Sequence, residues 1–531
     1  MRLISLYFIA LLLTASSTFA QQQSGIDIIH YRIAVGVNDG NDMVEGDAVI
    51  TFKSLRSVSR LVLDLTGERA GKGMKVESVL LNGAQVKYIH EADKLSVELP
   101  SSISKADTSQ VTIKYAGVPS DGLIISKNKY GKRTFFSDNW PNRAHYWMPC
   151  IDEPADKATV EFLVSAPSQY KVVSNGLLQE EIHLSDNRKL THWKEDAKLP
   201  TKIMAIGIGE FDVQLAGTVD GIPVYSWVYP ENRKEGFHDY GLAAEILPYF
   251  IKTYGPYGYR KLANVQSKTR YGGVENAGAI FYSESSVTGT GKSEALLAHE
   301  IAHQWFGDMA TETKFAHLWL SEGFATYMTA LYMMNKYGKD TFLVMLKKDR
   351  LEVTKFAKTY HQPVVDTSVT DYMKLLNANS YQKGGWILHM LKTMMGDSSF
   401  YRSIRKYYAS YSGKNAETDD LRKIMEEVSG IKLQAFFQQW LFTPGNPELD
   451  VTWLYKAAEK QVYVTVIQKQ SLAFQFPLQI LIKSEVAKDK ILNVQVSKQQ
   501  EVFKIPATTR PDELILDPET VLLFEASIKK L

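Results

Sequence analysis

The hydrophobic pattern of this 531-residue chain changes twice along its length. From residue 21 to about 215, apolar and polar residues alternate in short runs such as "RLVLDL" and "QVTIKYAG". A period of two is typical of strands with one buried face. From residue 293 to about 441, apolar residues recur every three or four positions, which predicts helices. Alternation returns after "TPGNPELD".

These changes predict an α+β multidomain protein, because the chain is too long for one compact core. We expect an N-terminal β domain at residues 21–215, a mainly helical domain at 216–445 and a C-terminal β-sandwich at 446–531. The formal net charge is only +2, so the composition gives no indication of a nucleic-acid partner or of binding to an anionic membrane.

Residues 1–20, "MRLISLYFIALLLTASSTFA", have the pattern of a secretory signal peptide: an early arginine, a short apolar run and small residues at the end. The pattern predicts export to the periplasm or the extracellular space, without stable membrane insertion. A retained N-terminal anchor is the alternative. Cys150 is the single cysteine, so no internal disulfide is possible. Its apolar neighbours favour a buried structural thiol over a nucleophile.

The stretch "TGTGKSEALLAHEIAHQWFGD" carries two signatures that imply different proteins. "GTGKS" is similar to the end of a phosphate-binding loop, which requires an earlier glycine five residues before Gly291. Ser286 stands there instead, and no repeating strand–helix units surround it. The sequence therefore favours a glycine-rich loop that leads into a helix, with Ser293 as its N-cap, over a nucleotide site.

"HEIAH" has metal-binding chemistry at the required spacing. His299 and His303 leave the same face of a helix one turn apart, so both can reach one zinc ion. Glu300 is rotated by about 100° and is placed to take a proton from the attacking water. The next predicted helix supplies Glu322 as a third ligand. His317 lies in the intervening loop, where a packing role is favoured over metal binding.

Five segments together resemble the aminopeptidase N family of zinc peptidases, which includes the leukotriene hydrolase. "HEIAHQWFGD" and "WLSEGFATY" match the family's metal motif. "RYGGVENAGAIFY" is similar to its exopeptidase motif, with Val274 in place of methionine. "SYQKGGWILHML" resembles the segment with the catalytic tyrosine, and "PCIDEPADKATVEF" resembles the end of the N-terminal domain.

The resemblance implies a thermolysin-like catalytic domain at residues 216–445, one zinc ion per chain and peptide substrates with a free N-terminus. It assigns binding of the substrate's α-ammonium to Glu275 and stabilisation of the oxyanion to Tyr381. A carboxylate fixed near the metal favours binding of a substrate whose cation lies at one particular distance from the scissile carbonyl. The other residues of the exopeptidase segment expected at the substrate are Gly272, Gly273 and Asn276.

The chain departs from the family pattern in two places. A glutamine or glutamate that also contacts the α-amine is usual upstream of "PC", but Trp140 stands near that position. Asp138 or Asn139 is then the expected substitute. Many members also have a large helical domain after the sandwich, whereas this chain ends there. We therefore expect a more open site, and epoxide hydrolysis is not expected.

The predicted function is hydrolysis of N-terminal residues from peptides, with Glu300 as general base. A zinc endopeptidase is one alternative, which would share the metal site but have no use for Glu275. An inactive peptide-binding scaffold is the other, although no ligand or base is missing. The sequence does not indicate the preferred side chain, the natural substrate or the oligomeric state.

Overall fold

The structure is a computed structural model that describes residues 25–99, 105, 107–486 and 488–531. The predicted signal peptide, residues 1–20, lies outside the described residues. In the described part of the chain, no helix is both long enough and apolar enough to cross a membrane.

The N-terminal region is built from strands whose side chains alternate between a buried and an exposed face. Eight strands form one sheet in the order β13-β14-β11-β1-β2-β8-β4-β5, and β12-β15-β10-β9 and β3-β7-β6 form two smaller sheets. β1 pairs antiparallel with β2 and parallel with β11, with Ile33 opposite Ala48 and Phe162. The strands are β1 (Ile26–Gly36), β2 (Val44–Ser54), β3 (Arg60–Asp64), β4 (Gly73–Leu81), β5 (Ala84–Gln85), β6 (Tyr88–Glu91), β7 (Lys94–Glu98), β8 (Thr108–Val118), β9 (Leu123–Lys127), β10 (Arg133–Ser137), β11 (Ala158–Pro167), β12 (Lys171–Ser174), β13 (Leu177–His183), β14 (Arg188–Leu199) and β15 (Ile206–Gly209).

A five-stranded sheet in the order β16-β17-β18-β20-β19 begins the catalytic region. Its elements are β16 (Asp212–Val219), β17 (Ile222–Val228), α1 (Arg233–Gly241), α2 (Ala243–Tyr254), β18 (Leu262–Ser267), β19 (Gly273–Val274) and β20 (Ala279–Ser283). The expected boundary after residue 215 falls within β16. Because β16 pairs with β17, the change from one set of sheets to the next falls at residues 210–211.

Helices make up most of the remaining catalytic region. These elements are α3 (Glu294–His303), β21 (Ala310–Glu312), α4 (Trp319–Tyr337), α5 (Lys339–Ala357), α6 (Gly384–Met395), α7 (Asp397–Tyr411), β22 (Lys414–Ala416), α8 (Thr418–Ser429) and α9 (Gln434–Leu441). A π-helical turn, Asn379–Lys383, leads into α6. α4 ends where Gly338 adopts a positive φ of 89°, as its glycine predicts.

The C-terminal region consists of two sheets, β27-β24-β23-β29 and β26-β25-β28. The strands are β23 (Glu448–Lys456), β24 (Gln461–Gln468), β25 (Phe476–Lys483), β26 (Lys490–Val496), β27 (Gln500–Pro506), β28 (Glu513–Leu516) and β29 (Glu525–Lys530). In β24, Val462, Val464 and Val466 are buried while their neighbours are half-buried, so the alternation predicted this face. The predicted α+β fold class is confirmed.

Buried polar groups join the N-terminal and catalytic regions. Lys202 Nζ lies 2.5 Å from Glu312 Oε1, and both side chains are almost fully buried. Lys157 donates to the backbone carbonyl of Met309 at 2.9 Å, and Asn175 donates to that of Ala277 at 2.8 Å. The hydrophobic core of the N-terminal region also continues into β17, β18 and β20. The two regions therefore pack against each other through buried polar contacts and a shared hydrophobic core.

Candidate active site

The glycine-rich loop before α3 encloses a carboxylate of the protein itself. The backbone N–H groups of Thr288, Gly289 and Gly291 donate to Asp239 at 2.6–2.8 Å. Because these donors are already paired, the loop is not free to bind a phosphate group. Ser293 stands at the N-cap position, but its hydroxyl donates to the carbonyl of Ser286 at 2.6 Å, so the expected side-chain cap is absent here.

Helices α3 and α4 bring three metal-ligating side chains together. Nε2 of His299 and Nε2 of His303 lie 3.4 Å and 3.3 Å from Oε2 of Glu322. The three ligand atoms lie within 4.8 Å of one another. The i, i+4 spacing on α3 places both imidazoles on one face, and α4 returns Glu322 to that face in its first turn. This group matches the expected ligand set.

The two histidines and Glu322 of this cluster strongly perturb one another's pKa. Burial alone would raise the pKa of Glu322, but His303 and His299 hold it well below its usual range. Burial lowers the pKa of His299, which keeps its imidazole neutral. Burial alone would also lower the pKa of His303, but Glu322 outweighs it and raises that pKa to about 10.

The donor set fits zinc. Two imidazoles and one carboxylate are a common protein ligand set of catalytic zinc sites. Oε2 of Glu322 is buried without a hydrogen-bond partner in the described structure, although it faces both imidazoles. Nδ1 of His303 lies 3.0 Å from Oγ of Ser321 and 3.2 Å from the carbonyl of Phe306, which leaves Nε2 directed to the cluster. Such outer contacts orient ligating histidines.

Glu300 lies on α3 between the two histidines and faces the exopeptidase segment. A Cβ atom at Gly273 would lie only 2.5 Å from Oε1 of Glu300, so a larger residue there would displace the carboxylate. Burial raises the pKa of Glu300 well above its usual range, with Glu275 adding to the effect and His303 opposing it. A carboxylate with a raised pKa accepts a proton readily and can pass it on.

Tyr381 reaches the cluster from the π-helical turn before α6. Its ring stacks on that of His299, with centroids 6.0 Å apart and planes 10° apart. α4 and α6 can approach closely because Gly323 meets Gly384, where an added Cβ would lie 2.7 Å from a backbone atom. Burial raises the pKa of Tyr381 well above its ordinary value, and Glu322 adds to the effect. Its phenol is therefore protonated and can donate a hydrogen bond.

The exopeptidase segment lines the same cavity as the metal cluster. The cavity measures about 550 Å³ and is bordered by Gly272, Gly273, Val274 and Glu275. Glu275 is 6% exposed, and its Oε1 has no hydrogen-bond partner among the described residues. Asn276 is buried beside it, with both of its amide atoms unpaired within the described structure. The cavity therefore contains a carboxylate available to a bound cation.

The expectation that Asp138 or Asn139 replaces the missing amine ligand is wrong. The amide of Asn139 donates to two backbone carbonyls and accepts from Nε1 of Trp147 at 2.9 Å. Asp138 accepts a 2.6 Å hydrogen bond from the guanidinium of Arg143. Neither residue borders the cavity, whereas Trp140 does. Both side chains are buried and are held by Arg143, by Trp147 and by backbone carbonyls of the N-terminal region.

Gln304, Ser321 and Leu376 were not predicted to belong to this site. Gln304 donates to the backbone carbonyl of Glu275, Ser321 contacts His303, and Leu376 borders the cavity. Gln304 directly follows the HExxH motif, which is the only local signal for its position. His317 lies outside the metal cluster and contacts Oγ1 of Thr418 at 2.9 Å, and Cys150 is fully buried.

Comparison with known families agrees with this arrangement. The model of the Peptidase M1 N-terminal domain matches residues 28–203, and that of the Peptidase family M1 domain matches residues 239–440. Together they cover well over half of the chain and include every residue of the cluster. The chain belongs to peptidase family M1. The resemblance to the aminopeptidase N family is thus confirmed.

M1 relatives are found in plants and archaea. Aminopeptidase M1-A of Oryza sativa subsp. japonica is 29% identical over 70% of this chain and 44% of its own length. Tricorn protease-interacting factor F2 of Thermoplasma acidophilum is 26% identical over 81% of this chain and 56% of its own. Leucyl aminopeptidase of Saccharolobus solfataricus is 24% identical over 78% of this chain and 54% of its own length. The chain thus spans about half the length of these curated relatives.

The M1 fold is also seen in a crystal structure of a mutant M1 zinc metallopeptidase from Deinococcus radiodurans. The two structures superimpose with a TM-score of 0.69 at 24% sequence identity. The match covers 80% of this chain and 96% of the other. It supports the order of a β domain, a helical catalytic domain and C-terminal strands.

Proposed function

We propose that the protein is a zinc-dependent aminopeptidase that removes single residues from the free N-terminus of peptides. The observation that carries the proposal is the position of Glu275 in one cavity with His299, His303, Glu322 and Glu300. A metal cluster with a base is sufficient for peptide hydrolysis. The carboxylate of Glu275, which is buried and unpaired within the described structure, favours binding of substrates that place a cation beside it.

His299, His303 and Glu322 would hold one zinc ion per chain. When bound, zinc acts as a Lewis acid toward the scissile carbonyl and makes water acidic enough to act as a nucleophile near neutral pH.

The protein's own groups supply the remaining steps. Glu275 binds the α-ammonium and fixes the scissile bond at the cluster. Glu300 takes the proton of the attacking water and transfers it to the leaving amine. Tyr381 donates a hydrogen bond to the oxygen on which negative charge develops in the transition state. Gly273 keeps the space beside Glu300 open, since a side chain there would collide with the carboxylate.

The test compares matched peptides with free and acetylated N-termini, digested by the full chain loaded with zinc. We expect stepwise trimming of the free peptide and almost no cleavage of the acetylated one. Charge-assisted hydrogen bonds contribute roughly 1.5–3 kcal/mol, so Glu275→Ala should lower kcat/KM on free peptides about ten- to two-hundredfold. Internal cuts in the acetylated peptide at a comparable rate would instead make the protein an endopeptidase.

Glu284→Ala is a matched control for this experiment. Glu284 is a glutamate of the same region that pairs with Lys268 and does not border the cavity. Its loss should leave the preference for free over acetylated peptides unchanged. An equal loss of preference in both variants would remove Glu275 from the proposed role.

We also propose that the protein acts after export, in the periplasm or outside the cell. The support is the pattern of residues 1–20, with an arginine, an apolar run and small residues before Gln21. N-terminal sequencing of the protein recovered from the exported fraction tests this proposal. Recovery of the unprocessed chain from the cytoplasm alone would contradict it.

A further inference from the structure

One wall of the active-site cavity is apolar. Trp140, Tyr271, Val274 and Leu376 all border the cavity. The indole of Trp140 meets the ring of Tyr271 edge-on at 6.2 Å and that of Phe315 at 6.2 Å, and it is only 3% exposed. Leu376 packs half-buried against the same group. We call Trp140, Tyr271, Val274 and Leu376 the aromatic wall.

The aromatic wall lies at the Glu275 end of the cavity. Tyr271 and Val274 precede Glu275 on the same segment. The negative charge of Glu275 contributes to the raised pKa of Tyr271, although burial is its main cause. When the α-ammonium is at Glu275 and the scissile carbonyl is at the metal cluster, the first residue lies between them. Its side chain is therefore the part of the substrate nearest to this wall.

The cations close to the wall are already paired with acidic groups. Arg143 Nη2 donates to Oδ1 of Asp138 at 2.6 Å, and Arg270 pairs with Asp121. Among the described residues that border the cavity there is no lysine or arginine, and the carboxylates there are Glu275, Glu300 and Glu322. An acidic side chain at the wall would thus lose its hydration without gaining a partner.

We propose that the aromatic wall is the pocket for the side chain of the substrate's N-terminal residue, so that the enzyme prefers large apolar or aromatic residues there. This inference rests on the proposed aminopeptidase function. Full burial of a leucine or phenylalanine side chain increases binding roughly ten- to hundredfold. Trp140 and Leu376 are the residues that set this preference.

The first measurement uses aminoacyl p-nitroanilides of Phe, Leu, Ala, Glu and Arg with the full chain loaded with zinc. We expect kcat/KM for Phe and Leu to exceed that for Ala by about tenfold or more, and that for Glu to be the lowest. A wild-type preference for Ala, Glu or Arg would overturn the inference while leaving an aminopeptidase. Absence of hydrolysis with every substrate would remove the proposed function itself.

Leu376→Arg is the decisive variant, because it places a cation at a half-buried position of the wall. The ratio of kcat/KM for Glu over Leu substrates should rise at least tenfold. Met373→Arg is the matched control: it adds the same charge beside Tyr271, but Met373 is 40% exposed and does not border the cavity. An unchanged ratio in Leu376→Arg, or an equal rise in both variants, would overturn the inference.

Binding without turnover supplies an independent measurement. Titration calorimetry uses the zinc-loaded Glu300→Gln chain, because the active enzyme would hydrolyse amino acid amides. Among the amides of phenylalanine, alanine and glutamate, phenylalaninamide should bind most tightly. Leu376→Arg should reverse the order of the phenylalanine and glutamate amides. Equal affinities of the Glu300→Gln chain for all three amides would contradict the proposed pocket even if the rates of the wild-type chain differed.

Discussion

The side-chain amide of Gln304 donates a 2.7 Å hydrogen bond to the backbone carbonyl of Glu275. Gln304 follows the second histidine of the metal cluster, and its Oε1 accepts the N–H of Gly278 at 2.8 Å. Gln304 is fully buried. It therefore fixes the distance between the metal helix and the carboxylate that would receive the α-ammonium.

Gln304→Glu should weaken the selection for free N-termini without removing the metal. The variant keeps an acceptor for Gly278 but loses the donors to the Glu275 carbonyl and to Oδ2 of Asp308. Because a hydrogen bond contributes about 0.5–1.5 kcal/mol, we expect kcat/KM on free peptides to fall about three- to tenfold. Zinc content by elemental analysis should stay near one per chain. Gln266→Glu is the control, since Gln266 is equally buried and bonds away from the cavity. Equal losses in both variants would contradict the role of Gln304.

Glu300 and Glu322 should respond differently to the same substitution. Glu300→Gln should retain zinc and lower kcat about 10²–10⁴-fold, because a general base is removed. Glu322→Gln should lose zinc as well as activity, because a ligand is removed. Elemental analysis beside steady-state kinetics separates the two outcomes. Normal turnover by Glu300→Gln would show that another group takes the proton.

Lys383 should influence the rate through Tyr381. Lys383 closes the π-helical turn that carries Tyr381, is buried, and donates to the carbonyl of Gly445 at 2.7 Å. Lys383→Met should lower kcat about tenfold, because it releases the turn that positions Tyr381. In the Tyr381→Phe background the same substitution should lower kcat only slightly further. A double-mutant cycle measures this coupling.

The control for Lys383 is Arg350→Met, which cuts a different link to the C-terminal strands, the ion pair of Arg350 with Asp517. It should lower stability, and its effect on kcat should not depend on Tyr381. If the loss from Lys383→Met is the same with and without Tyr381, Lys383 does not act through that residue.

His389 should make stability fall in mild acid. Burial lowers the pKa of His389 from 6.5 to about 4, and its ring lies 2.9 Å from the carbonyl of Thr520. As the pH falls, the unfolded chain takes up this proton before the folded chain does. The stability contributed by the neutral His389 is therefore complete above pH 6.5 and is lost as the pH falls toward 4. The shift corresponds to roughly 3 kcal/mol. Denaturant titrations at pH 7 and 4.5 should show a smaller decrease for His389→Gln, and identical decreases would contradict this assignment.

The metal cluster could be predicted because it depends on local geometry. The spacing of His299 and His303 fixes their relative direction once the segment is helical. Glu322 was found because it stands in the first turn of the next apolar helix. The end of α3 is not indicated by the motif: the helix ends at His303, because the chain turns after Gln304 and the N–H of Asp308 donates to the carbonyl of His303.

The substrate end of the cavity could not be predicted, because it is assembled from distant segments. Trp140, Tyr271 and Leu376 are separated by more than one hundred residues along the chain, and nothing in their local sequence brings them together. The side chains of Asp138 and Asn139 could bind an amine, but Asp138 accepts a hydrogen bond from Arg143 and Asn139 donates to backbone carbonyls. Likewise, the alternation in β16 predicts a strand but does not indicate which sheet it joins.

The buried pair of Lys202 and Glu312 limits how this protein can exchange parts with its relatives. The lysine belongs to the N-terminal region and the glutamate to the catalytic region. Leaving one charge buried without its partner costs about 3–5 kcal/mol. If the catalytic region were joined to a foreign N-terminal domain, Glu312 would be buried without a partner unless that domain placed a lysine at the same position. A chimera joined at residues 210–211 should therefore be stable only when both of its parts supply the matching charges.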